Sequence, residues 1–250
     1  MPENLLAAVD EDLREGRVAE AAVKLREHLK RQPGDAAAIE RLGFATHRLG
    51  DLPAAATAFG ALCRLRPESA AAENNLGTVL GQMGRHVEAL GHFSHAIELD
   101  ASFVDARFNR AQLLELRGQS KAAIDDLRNL LRLAPTHKQG WYRLGHLLNI
   151  TGRRQEAQAA FDRAIELDPE YVEARWARTM STLPQAYDVG EEPNAFYAEF
   201  EQRLDALDRW FAEGRDDQGQ RAVLRRQSLR LPGRARMRRH GGTDGTGRCT

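Results

Sequence analysis

Five glycines stand 34 residues apart in this chain: Gly16, Gly50, Gly84, Gly118 and Gly152. A period held five times without insertion or deletion restricts the fold to a stack of identical supersecondary units, each burying its apolar face against its neighbours. Three more ladders share the period. Pro33, Pro67, Ala101, Pro135 and Pro169 follow the glycines, Ala21, Ala55, Ala89, Ala123 and Ala157 are uniformly small, and Leu25, Phe59, Phe93, Leu127 and Phe161 are uniformly large and apolar. Glycine admits the left-handed turn that ends one helix before another begins, and proline cannot continue a helix. Between these marks apolar residues recur at helical spacing, as in Trp141, Leu144, Gly145 and Leu148, then Ala157, Ala160, Phe161, Ala164 and Ile165. Each unit therefore reads helix, Gly turn, helix, Pro turn, over blocks 2–35, 36–69, 70–103, 104–137 and 138–171, with the small ladder expected where the paired helices approach most closely.

Composition agrees. Only 6% of residues are aromatic, and the abundant Ala, Leu, Arg and Glu lose little freedom in a helix. No window approaches eighteen consecutive apolar residues, so no membrane span is expected. The N-terminus carries early acids and no basic segment ahead of an apolar run, unlike a secretory signal. Cys63 and Cys249 are too far apart to suggest a disulfide framework or metal spacing. Together these features lead to the expectation of a reducing, cytoplasmic setting.

The segment "GWYRLGHLLNITGRRQEAQAAFDRAIELDP" resembles the tetratricopeptide repeat, with Trp, Leu-Gly, Gly, Ala, Phe, Ala and Pro in that family's positions. The resemblance covers about two-thirds of the chain. It departs at Ala8 and Val9 in the first block and at Arg110 and Ala111 in the fourth, where Leu-Gly is expected. It implies an all-α fold, a right-handed superhelix (α-solenoid) of five helix-turn-helix repeats plus a capping helix. It also implies a concave wall built from the first helix of each repeat and used to bind a peptide or protein segment. The family's groove positions carry over to Arg41 and Phe44 in the second block and to Asn74, Asn75 and Thr78 in the third. The fourth supplies Phe108, Asn109, Gln112 and Glu115, and the fifth Tyr142, Arg143, His146 and Asn149. Asn75 and Asn109 occupy the same position in adjacent repeats. In the O-linked N-acetylglucosamine transferases, asparagines of this kind hold a substrate backbone, for which a carboxamide has both donor and acceptor.

Other constellations carry less. His92 and His95 share a helical face at a spacing able to hold a metal, but no further ligand is evident near them in sequence, and they read as solvent-facing. Asp125 and Asp126 point about 100° apart on a helix and read as a solvated acidic face. Cys63 reads as a small core filler. No phosphate loop, zinc spacing or nucleophile elbow is present, so no catalytic residue, metal or cofactor is assigned and the chain is not expected to be an enzyme.

Beyond the fifth block the ladders stop. Residues 172–183 are expected to form a helix that caps the solenoid, 184–193 a linker, and 194–213 an amphipathic helix. Its apolar stripe, Phe196, Phe200, Leu204, Leu207 and Phe211, must be buried and could serve a second copy of the chain. Met180–Pro184, Tyr187-Asp188 and Tyr197–Leu207 are similar to the bacterial SPINDLY-like relatives of those transferases. That resemblance implies a protein O-glycosyltransferase whose nucleotide-sugar domain this chain lacks. Residues 220–250 hold nine Arg, no Lys and one acid, Asp244; without them, the 36 basic and 36 acidic residues of the whole become 27 and 35. The 214–250 tail is expected to be disordered. It lacks aromatics for stacking on bases, which disfavours nucleic acid as a partner, and its composition suits an out-of-frame reading of GC-rich coding sequence.

Overall fold

The structure is a computed structural model and describes residues 3–183 and 193–213. Twelve α-helices and no strands occur among the described residues. The chain divides into two compact units, Met1–Pro169 and Glu170–Thr250.

The first unit is five helical hairpins: α1 (Glu3–Arg14) with α2 (Val18–Arg31), α3 (Ala36–Arg48) with α4 (Leu52–Leu65), α5 (Ala70–Gln82) with α6 (His86–Leu99), α7 (Val104–Leu116) with α8 (Ser120–Leu133), and α9 (Lys138–Ile150) with α10 (Arg154–Leu167). Every expected repeat is present, and from the second block on the helices start at matching positions in each.

The glycine ladder is conformational. Gly16, Gly50, Gly84, Gly118 and Gly152 have φ between 72° and 80°, and among the described residues no other residue type has positive φ. At the second repeat Gly50 N–H donates to the His47 carbonyl at 3.0 Å and Asp51 N–H to that of Thr46 at 2.9 Å. This pair of bonds is the Schellman termination, which satisfies orphan carbonyls at the helix end. The proline ladder marks the opposite turns, where Asp35, Ser69, Phe103 and His137 donate N–H to the carbonyls of Gln32, Arg66, Asp100 and Ala134. Proline sits second in three of these, the position its fixed φ suits. The next helix is then capped by Asp35, Ser69 or His137 through a side-chain acceptor. Where Ala101 replaces proline and Phe103 cannot cap, Asp100 Oδ1 instead accepts from Ser102 N at 2.8 Å and Oγ at 2.6 Å.

Inside each hairpin one contact governs the approach. A Cβ on Gly43 would lie 2.6 Å from the Phe59 ring, on Gly77 2.8 Å from Phe93, and on Gly145 2.7 Å from Phe161. In the two departing blocks the facing residue is leucine, and the glycine becomes Val9 opposite Leu25 and Ala111 opposite Leu127, all four buried. A smaller residue on the second helix thus goes with a larger one on the first, so the departures are compensated packing, as close-packed interiors require.

The second unit contains α11 (Val172–Met180) and α12 (Pro193–Ala212). They pack through Leu207, Trp210 and Phe211 against Val172 and Trp176, and the Arg175 guanidinium lies 4.7 Å from the Trp210 ring centre. Phe200, Leu204, Leu207 and Phe211 are all buried, so the stripe expected to seek a second copy is covered within the chain, and that ground for a homodimer is withdrawn. The expected linker, apart from Pro193, and the expected tail lie outside the described residues, as does the side chain of Phe196.

The hairpin contact makes a direct prediction. Gly77→Ala gains about 1 kcal/mol of helix propensity but overpacks Phe93 at a cost of about 1–3 kcal/mol, so the denaturation midpoint falls. Adding Phe93→Leu reproduces the Ala111–Leu127 pair and recovers part of that loss. A double-mutant cycle in urea is expected to show favourable coupling of about 1 kcal/mol; strict additivity would refute the compensation.

Candidate peptide-binding groove

The 34-residue period sets the first helices α3, α5, α7 and α9 side by side and brings equivalent positions into rows. Side-chain bonds between residues about 30 apart establish this. Arg41 on α3 makes a bidentate pair with Asp10 on α1, Nε to Oδ1 at 2.7 Å and Nη2 to Oδ2 at 2.9 Å. His47 meets Gln82 Oε1 at 2.7 Å. Asn109 Nδ2 on α7 donates to Asn74 Oδ1 on α5 at 2.9 Å and lies 3.4 Å from Thr78 Oγ1. On α9, Arg143 donates to Glu115 at 2.9 Å and to Gln112 at 3.1 Å, and His146 stands 3.1 Å from the same Glu115.

At the centre of this wall is a cleft of about 850 Å³ that gathers five of the expected residues, Thr78, Asn109, Gln112, Glu115 and Arg143, together with Gln82, Leu113 and Leu116. Asn74 is buried beneath it. Asn75 is half-buried and has no hydrogen-bond partner among the described residues. Asn109 spends its amide N–H on Asn74, so it offers an acceptor, whereas Asn75 keeps both functions. Phe108 is half-buried under the Arg143 guanidinium, 5.7 Å from its ring centre, and beside His137 at 4.8 Å. Tyr142 leans on Phe161, and Asn149 is half-buried farther along α9. Phe44 is 44% exposed and meets Phe59 edge-on, away from the residues lining the cleft. Sequence reasoning passed over Gln82 and Leu116, the latter 69% exposed. Both are the thirteenth residue of their repeat blocks, next to the row that holds Glu115 and Asn149.

Charge in the groove is mostly neutralised by the wall itself. The Arg41 hydrogen bond holds the Asp10 carboxyl below its usual range, and Asp10 in turn raises Arg41. Glu115 is also held low, first by the His146 hydrogen bond and further by the Arg143 charge, against burial that pushes it up. Between these ion pairs the polar lining of the cleft is uncharged: Thr78, Gln82, Asn109 and Gln112 supply only amide and hydroxyl groups.

Two readings of the sequence need correction. Asp126 is not solvated; it is buried and holds Arg110 through Nε at 2.7 Å and Nη2 at 2.6 Å, while Arg110 Nη1 donates to Ser94 Oγ at 3.0 Å. A charge at the position of Leu42, Leu76 and Leu144 survives because a buried partner faces it. Nor are His92 and His95 simply solvent-facing. His92 Nδ1 lies 2.6 Å and His95 Nδ1 3.4 Å from the carboxylate of Glu73, which is buried. Burial, and then Glu73, push the neighbouring Cys63 thiol up to about 12, an inert thiol at neutral pH. Among the described residues no group of three or more His, Cys, Asp or Glu is arranged to hold a metal ion, and no helix is long and apolar enough to cross a membrane.

Family models described as tetratricopeptide repeat match residues 6–70, 45–102, 74–138 and 139–171. The chain belongs to the tetratricopeptide repeat family. It is 36% identical over 104 residues to small glutamine-rich tetratricopeptide repeat-containing protein 2 of Mycosarcoma maydis, covering 42% of this chain and 29% of the relative. It is 33% identical over 123 residues to DnaJ homolog subfamily C member 3 of Gallus gallus, covering 49% of this chain and 24% of the relative. The chain thus spans less than a third of the length of either relative. Its fold is similar to that of MamA from Desulfovibrio magneticus (TM-score 0.62, 21% identity, 68% of this chain and 96% of that one). It is likewise similar to YrrB, described as a tetratricopeptide repeat protein with an unusual peptide-binding site (TM-score 0.57, 21% identity, 68% and 88%).

Two predictions concern these ion pairs. Arg110→Leu leaves Asp126 buried without its cation and destabilises by about 3 kcal/mol or more. Arg110→Leu with Asp126→Ala reproduces the Leu42–Ala58 and Leu144–Ala160 combinations of this chain and stays within about 1 kcal/mol of wild type in chemical denaturation. Glu115 titrates lower in the folded chain than its ordinary value of 4.5, so its stabilisation is complete above that pH and disappears as pH falls through the native value. The midpoint gap between wild type and Glu115→Gln is therefore expected at neutral pH and should close below 4.5; a gap that stays constant with pH refutes the assignment.

Proposed function

We propose that this tetratricopeptide repeat protein is a binding module that holds an extended, weakly charged polypeptide segment along the wall of α5, α7 and α9, as a scaffold, an adaptor or the recognition arm of a larger assembly. One observation carries the reading: an 850 Å³ cleft with a floor of carboxamide and hydroxyl groups, bounded by ion pairs that the wall itself completes. Such a floor can bond main-chain N–H and C=O groups and offers little to a strongly charged ligand. Leu113 and Leu116 add apolar contact for alternate side chains. The peptide-binding site named for YrrB is consistent with this use of the fold. The similarity to SPINDLY-like proteins stays confined to short stretches between residues 180 and 207, part of them outside the described residues, and carries no step of this proposal.

The test is selection of binders from a random peptide display library, followed by titration of a selected peptide into wild type and an Asn75→Ala, Gln112→Ala double variant. Neither side chain is in the apolar core, so the variant should keep its helical circular dichroism while affinity falls about tenfold, the worth of one or two peptide hydrogen bonds. Equal affinity, or selection of only highly charged binders, would refute the reading.

A further inference from the structure

The second helices meet the following repeat in a wedge whose four corners recur with the period. They are Leu29, Ile39, Ala58 and Ala61 at the first junction, Cys63, Glu73, His92 and His95 at the second, Ile97, Arg107, Asp126 and Asn129 at the third, and Leu131, Trp141, Ala160 and Arg163 at the fourth. The first wedge is closed by apolar packing within the core and the second by the Glu73–histidine bonds. The fourth stays open as a cleft of about 580 Å³ between α8, α9 and α10, within the usual range for ligand pockets. Its floor is apolar and firm: Leu131, Leu144, Leu148 and Ala160 are nearly fully buried. The Trp141 ring is fixed in place because its Nε1–H donates to the Pro135 carbonyl at 2.8 Å. The rim is cationic. Arg128 and Arg132 stand on α8 and Arg163 on α10, against one carboxylate, Glu156. Glu156 is already held by Arg153 as well as Arg128, at 2.7 to 2.9 Å. Arg163 pairs with Glu166 at 2.6 Å, and Arg132 has no ion pair among the described residues.

We infer that this outer cleft is a second binding site, independent of the α5–α9 groove, for a peptide segment carrying one large apolar side chain flanked on both sides by carboxylates. The apolar side chain fills the space over Leu144 and Leu148 against Trp141. Guanidiniums on two different helices call for two separated anionic groups, which a single small carboxylate does not supply, and Arg suits planar pairing with each. The chemistry differs from that of the groove, whose floor is uncharged, so the two sites select different ligands.

The test uses a synthetic peptide with one Phe between paired Glu residues in a Gly-Ser background, titrated into the full chain labelled with nitrogen-15. The expected result is a saturable shift of the Trp141 indole signal, weakened by added salt. Affinity should fall at least about tenfold in an Arg132→Glu, Arg163→Glu variant, whose changes are on exposed side chains, and should be unchanged in the Asn75→Ala, Gln112→Ala variant. Any of three results overturns the inference: equal binding of a peptide with Lys for Glu, equal binding of one with Ala for Phe, or an equally strong Trp141 shift with a short-chain fatty acid. Loss of binding in the groove variant alone would place the peptide in the groove and also overturn it.

Discussion

Two helices that cross with their backbones almost touching leave room for only one large side chain at the crossing. In this chain that side chain comes from the second helix of each hairpin, and the first helix yields to it. Phe59, Phe93 and Phe161 sit within 3 Å of where a Cβ would stand on Gly43, Gly77 and Gly145, and smaller Leu25 and Leu127 allow Val9 and Ala111. Everything else is set by that spacing. It fixes the hairpin angle, the angle fixes how the next hairpin stacks, and the stacking brings first helices into one wall and second helices into the other. The left-handed glycines permit the turn but do not choose the angle; nothing lies within 4 Å of a Cβ built on any of them.

If packing inside hairpins is uniform, individuality has to lie between them. Each junction is bridged by different chemistry: a guanidinium–carboxylate pair from Arg41 to Asp10, a bond from His47 to Gln82, a carboxamide bond from Asn109 to Asn74, and Glu115 bridging Arg143 and His146. In a linear stack, stability is a sum of unit and interface terms. Polar interfaces of unlike chemistry also discourage a hairpin from stacking on the wrong neighbour, since Arg41 would lose Asp10 and Arg143 would lose Glu115. The cost is that much of the inner wall's charge is used internally, which is why the space left for a ligand has an uncharged floor.

How far the sequence discloses this depends on the range of each interaction. Helices, turns and repeat boundaries are governed by residues fewer than about a dozen apart and are legible from the ladders of Gly, Pro, Ala and Phe. Groove residues are legible as rows, because equal positions in a stack face the same way. Their partners are not, because a row gives direction and not reach. Asn109 was visible as a groove residue, but its bond to Asn74 depends on the distance between α5 and α7. Asp126 looked solvated from its own helix. The contrary signal was Arg110 on a leucine ladder, which in a buried position demands an acid within reach. Glu73, standing where the second and fifth repeats place Ile39 and Trp141, gave the same warning about His92. A charge on a mostly apolar ladder marks a partner within reach, here on the second helix of the same hairpin.

The same reasoning separates the two walls. On the inner wall the ladder positions are polar in most repeats, and neighbours satisfy one another, so recognition there falls to the groups left over, Asn75 above all. On the outer wall the wedge corners are free to vary, because they lie beyond the hairpin crossing. Three repeats spend that freedom on closing or polar-lining the wedge, while the fourth junction combines a bulky Trp141 with a small Ala160 and three arginines at the edge. A large ring beside a small side chain leaves the wedge open over an apolar floor, and arginine stems can line such a space while their charged ends stay in water. The constraint that makes the hairpins alike thus leaves the junctions unlike, and it is at the junctions that this chain has surface chemistry to offer a partner.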